Sequence, residues 1–185
     1  MRRRLDAAVA LWLAAAIGVC VLPWHMLQDG LGLTTIIGLG SADADTASAL
    51  WQAIAHKRWW FWPMIAGLAL ALPALRPGIS RREEASWLRL GGGLGLGGLA
   101  VQAWLVGVQG FTYAGLSSLF GELDDRQFGI GWGGLVAFVA FLLMITDSLA
   151  LRGRFGGDRF VAGAVGVLVA SITLFTVWPV LTMLA

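Results

Sequence analysis

Cysteine appears once in the 185 residues, at Cys20 inside an apolar run, which excludes a disulfide framework or a paired-cysteine metal site within the chain. Lysine is as scarce. Its one occurrence, Lys57, lies far from the glycine-dense segment 91–98, GGGLGLGG, so that segment is no Walker-type phosphate loop, which needs a lysine after its last glycine. The two histidines, His25 and His56, have neither a cysteine nor a second histidine at ligand spacing, and both are expected as residues of the outer interface rather than metal ligands. No nucleophile is paired with a base, and no carboxylates cluster within an apolar run, so no catalytic, cofactor or metal site is expected. Charge itself is sparse: 13% of residues are Asp, Glu, Lys or Arg, against about 25% in an ordinary soluble domain.

Apolar residues fill the space. They make up 58% of the chain, and the mean hydropathy is +0.77, which is the composition of a membrane protein. Five runs approach the roughly 20 apolar residues that cross a hydrocarbon core about 30 Å thick. They cover residues 7–27, 59–75, 88–108, 129–151 and 160–184. The expected fold is all-α, a polytopic transmembrane helix bundle of five spans in one domain. A cleaved signal peptide would share the basic start MRRRLD, but the small residues Ala14, Ala15 and Ala16 sit in the middle of the first run rather than after it, which favours a retained helix.

The arginines give the expected orientation. Residues 76–89, RPGISRREEASWLR, form a charged hinge between the second and third runs. If that hinge faces the cytoplasm, Arg2, Arg3, Arg4, Arg76, Arg81, Arg82, Arg89, Arg152, Arg154 and Arg159 are all inside, and only Lys57, Arg58 and Arg126 are outside. Such a bias is the positive-inside pattern, and it implies an N-terminus inside and a C-terminus outside in a bacterial inner membrane. The net charge of +2 therefore belongs to topology and to anionic lipid headgroups rather than to a nucleic-acid partner.

The outer segments are expected to carry short interfacial pieces. Ser41, Asp43 and Asp45 are turn and cap residues ahead of a short helix over 46–55 with Trp51 on its apolar side, and Phe111, Tyr113, Leu116 and Phe120 could line an interfacial or re-entrant helix. In the third span, Gly91 with Gly95 and Gly93 with Gly97 have the small-xxx-small spacing that lets a second helix approach the backbone. Asp147 is the one carboxylate within an apolar span. It stands five residues before Arg152, so the expectation is a carboxylate reaching the inner interface, with a polar path through the membrane as the functional alternative.

Three stretches together carry a resemblance: LPWHMLQDG at 22–30, RQFGIGWGGL at 126–135 and GDRFVAGAVGVLVASITLFTVWPVL at 157–181. In this order the chain resembles the amino-terminal membrane region of long bacterial binding-protein-dependent ABC transporter permeases of the ferric-iron type. The resemblance implies a subunit that forms part of a path across the inner membrane, working with a separate ABC ATPase subunit and a periplasmic substrate-binding protein, as the N-terminal part of a longer permease. Glu84, Ala85 and Ser86 also resemble the opening of the coupling loop of such permeases, but Leu90 stands where its glycine belongs and no Ile-x-Leu-Pro element follows. The contrasting expectation is a stand-alone integral membrane scaffold or assembly protein without transport activity.

Overall fold

Proline punctuates the helices of this protein. A computed structural model describes residues 2–25, 37–107, 110–113, 115–117, 123, 129–177, 179–180 and 183, with the side chains of 2–6 outside that description. The first helix, α1, spans Arg2–Cys20 and stops short of the expected residue 27. Pro23 has no amide hydrogen and restricts the residue before it, so Val21 and Leu22 both fold back onto the Ile17 carbonyl at 3.0 Å. A short helix, α2, covers Ala49–Ile54 and is capped by Ser48, whose Oγ accepts from the Trp51 amide. It starts later than residue 46 because Ser48, rather than Asp45, takes the capping position.

The run 59–75 is helical in three pieces: a 3-10 turn at Trp59–Phe61, α3 at Trp62–Ala71 and a second 3-10 turn at Leu72–Leu75. Pro73 cannot donate, so the Leu72 amide bonds Ala69 and leaves the Leu68 carbonyl without its usual partner. Trp12 on α1 supplies one. Its indole Nε1 donates to Leu68 O at 2.9 Å and ties the two helices together.

Helix α4 spans Arg81–Leu105 and corrects the charged hinge. The loop is only residues 76–80. Ser80 and Glu83 form a reciprocal capping box, in which the Glu83 amide donates to Ser80 Oγ and the Ser80 amide to Glu83 Oε2, each at 3.3 Å. The charged residues 81–89 are thus the first turns of a helix, and Glu84, expected in a solvated loop, is buried on its packed face. At the other end α4 passes into a two-residue ladder, β1 (Val106–Gly107) against β2 (Gly110–Phe111). The expected interfacial helix does not begin at Phe111; the described helical residues of that segment are 115–117, which include Leu116. Phe111 instead packs edge-on against Trp60 at 5.5 Å, Tyr113 accepts from Trp104 Nε1 at 2.7 Å, and Phe120 lies outside the described residues.

Helix α5, Trp132–Leu151, is the central element and packs against α1, α4 and a further helix, α6, at Arg159–Ile172. A π-helical turn, Thr173–Val177, continues α6. Between α5 and α6 the chain reverses through Gly153, Phe155, Gly156 and Gly157, all at positive φ, and Asp158 caps α6 by accepting from the Phe160 and Val161 amides. Trp24, Phe61, Met64, Leu88, Phe141 and Met144 form the innermost core.

The described chain is predominantly helical. Two of its helices, Trp132–Leu151 and Arg159–Val177, are long and apolar enough to cross a membrane by the usual length and hydropathy measure, and Ala7–Cys20 and Trp59–Leu75 are shorter apolar helices. The outer surface is apolar on every long helix: Leu13 and Ile17, Leu70 and Leu72, Leu90 and Val101, Leu135 and Val139, and Leu168 and Phe175 are all exposed.

Candidate functional site

Of the four glycines singled out in α4, two face neighbours and two do not. A Cβ added to Gly91 would lie 2.6 Å from the Gly67 carbonyl oxygen and 2.7 Å from the Ala71 side chain of α3, and one added to Gly95 would lie 2.6 Å from the Phe141 ring of α5. At Gly93 and Gly97 nothing lies within 4 Å. The expectation of packing at Gly93 and Gly97 is therefore corrected within this chain. The close approach runs instead through Gly91, Gly92, Gly95 and Gly98, because two neighbours flank α4 and the buried arc is wider than one i, i+4 row. Gly67 on α3 faces Gly91 and Gly95 directly, and Gly18 on α1 faces Gly133 on α5 in the same manner. These contacts are backbone to backbone. They set the helix spacing that holds both ends of the bundle in place.

Asp147 pairs with Arg159. It is buried, and its Oδ1 accepts from Arg159 Nε at 2.9 Å, while Arg159 keeps 30% of its side chain exposed. The tight reversal at 152–158 brings the first residue of α6 back alongside the last turns of α5, a pairing that linear distance to Arg152 does not foretell. Asp147 Oδ2 and Arg159 Nη2 are buried and have no hydrogen-bond partner among the described residues. The pair acts as a polar clasp of the α5–α6 contact, at the end where the chain turns from one helix to the other.

A second polar cluster, which sequence reasoning missed, lies at the opposite end. His25, Gln52 and Arg58 are all buried there. Arg58 Nη1 donates to Gln52 Oε1 at 2.7 Å and lies 3.3 Å from His25 Nε2, and Gln52 Nε2 donates to the Ala47 carbonyl at 2.9 Å. Backbone contacts knit the surrounding cap: the Trp24 amide reaches Ala47 O at 3.1 Å, the Gly131 amide reaches Trp24 O at 2.8 Å, and His25 bridges Ile130. Charge was the available signal. Arg58 is one of only three basic residues on the expected outer side, and a cation beside Trp59 and Trp60 needs polar partners if it is to be buried.

At the end that carries the first turn of α4 and the C-cap of α5, basic residues surround open space. Arg81, Arg82, Ser86, Leu151 and Arg152 line a cavity of about 580 Å³, and Arg152 Nη2 donates to Ser86 Oγ at 3.0 Å. No group of three or more His, Cys, Asp or Glu among the described residues is placed to hold a metal ion. Nothing matches this chain among protein-family models, curated proteins or solved structures.

Proposed function

We propose that the chain is a multi-pass inner-membrane domain of five spans, with N-terminus inside and C-terminus outside, that serves as the amino-terminal region of a binding-protein-dependent ABC importer permease, with ferric iron as the transported class. The observation that carries the membrane reading is the outward-facing apolar surface on every long helix, with exposed Arg76, Arg81, Arg82, Arg89, Arg152 and Arg154 gathered at one end. A water-soluble bundle would turn those faces inward. Length is compatible with more than two spans: at about 1.5 Å per residue in its α part and about 2.0 Å in its 3-10 turns, 59–75 is about 29 Å long, close to a hydrocarbon core. Arg81–Leu105 is longer still, about 37 Å at the same α-helical rise, with its charged first turns at the arginine end.

The permease reading rests on the three resembling stretches. Two of them meet in the fold, where Pro23, Trp24 and His25 accept from or bridge Gly133, Gly131 and Ile130, so those residues share one structural unit rather than lying scattered. The alternative, a scaffold without transport activity, is favoured by a different observation. Glu84 and Ala85, the near-match to a coupling loop, are buried in α4 where no external ATPase could reach them.

Affinity capture of the tagged product of the chromosomal locus in mild detergent separates the two. The permease reading expects an ABC ATPase to co-purify, ATP hydrolysis to rise on adding the periplasmic binding protein, and ferric-iron uptake to fall when the locus is deleted. Recovery with other membrane subunits and no ATPase, with iron uptake unchanged, would replace it with the scaffold reading.

A further inference from the structure

The arginine cavity has three basic residues among its five lining residues. Arg81 and Arg82 reach it from the first turn of α4 and Arg152 from the end of α5, with Ser86 and Leu151 completing the wall. A second cavity of about 260 Å³ shares Arg81 and Leu151 and extends to Arg159 and the glycine turn. The nearby carboxylates are otherwise engaged. Asp147 pairs with Arg159, Asp158 caps α6, Glu83 closes the capping box with Ser80, and Glu84 is buried. Arg152 is held in place by Ser86, whose Oγ in turn donates to the Arg82 carbonyl at 2.8 Å. Three arginines, two from the first turn of α4 and one from the C-cap of α5, thus line one space without a carboxylate in its lining.

We infer that this cavity binds a phosphate-bearing anion, the phosphodiester headgroup of an anionic phospholipid or a soluble phosphate. Guanidinium forks match phosphate oxygens in geometry as well as charge, and basic pockets between helices at the cytoplasmic face suit anionic headgroups. Leu151 in the wall and the exposed rings of Phe155 and Phe160 close by in sequence offer apolar contact for the glycerol and upper acyl chain of a lipid. The inference rests on the membrane reading of this end, and not on transport or on an ATPase.

The test uses the intact protein in neutral detergent, with thermal unfolding followed during titration by phosphatidylglycerol, by phosphatidylcholine or by inorganic phosphate. Two double variants are compared with the parent: Arg81→Gln with Arg152→Gln in the cavity, and Arg76→Gln with Arg89→Gln, which removes equal charge from the same end outside the lining. Phosphatidylglycerol should stabilise the parent and the second variant alike, and bind the first at least about tenfold more weakly. Phosphatidylcholine should do neither. A guanidinium-dependent shift with inorganic phosphate alone would identify a soluble anion as the source. Equal weakening in both double variants, or no preference for either phosphate probe over phosphatidylcholine, would overturn the site. A protein found outside the membrane fraction would instead remove the membrane reading beneath it.

Discussion

Replacing Gly91 by alanine adds one carbon where α3 and α4 touch. That carbon would sit 2.6 Å from Gly67 O and 2.7 Å from the Ala71 Cβ, both inside the separation that carbon contacts tolerate. Gly67 O is backbone and the Ala71 methyl has no rotamer to change, so relief has to come from moving α3 away from α4 by about 1 Å, with loss of dispersion along the contact. Overpacking of this kind costs about 1–3 kcal/mol. Gly93→Ala is the matched control, since nothing lies within 4 Å of its added carbon and the helix gains up to about 1 kcal/mol of intrinsic propensity. That propensity gain is common to both substitutions and cancels, so the two variants should differ by the overpacking cost of about 1–3 kcal/mol, roughly 5-fold to 160-fold in the unfolding equilibrium, read by titrating detergent-solubilised protein with a denaturing detergent. Gly91→Ala as stable as Gly93→Ala would refute the described α3–α4 seam.

Trp12→Phe should cost about 1 kcal/mol by leaving the Leu68 carbonyl without its indole donor, whereas the exposed Trp62→Phe should cost little in the same titration. Asp147→Ala and Arg159→Ala should each destabilise by more than the double substitution does, because each single change strands one charge beside α5, and a double-mutant cycle measures the coupling. Equal and additive effects would mean the clasp contributes nothing. Gln52→Leu should lower the thermal midpoint, since it removes an acceptor from buried Arg58 and the donor to Ala47 O; an unchanged midpoint would show that the His25–Gln52–Arg58 cluster is not structural.

Residues whose neighbours lie along the chain were legible in the sequence, and those whose neighbours come from elsewhere were not. Each apolar run contains a helix among its described residues, and Gly91 and Gly95 face close neighbours, because helical spacing is local. The sequence Ser80-x-x-Glu83 before an apolar run was also a readable helix start, and weighting four arginines as a loop signal hid it. Gly92 and Gly98 were missed because a single small-xxx-small row presumes one partner helix, while α4 has two. Asp147 looked nearest to Arg152 in sequence, but the left-handed turn through Phe155, Gly156 and Gly157 delivers Arg159 instead. The His25–Gln52–Arg58 cluster depends on the cap folding back over α1 and α5. No periodicity encodes that.

The central claim is that the arginine-rich end lies in the cytoplasm and the Trp24–Arg58 cap lies outside, with apolar helix faces between them in lipid. Single-cysteine labelling in a Cys20→Ala background tests it most directly, with Ala44→Cys in the cap and Ser80→Cys at the capping box, both in turn regions at opposite ends. In intact cells an impermeant maleimide should label Ala44→Cys and leave Ser80→Cys untouched until the membrane is opened. Labelling of Ser80→Cys in intact cells, with Ala44→Cys protected, would contradict the account.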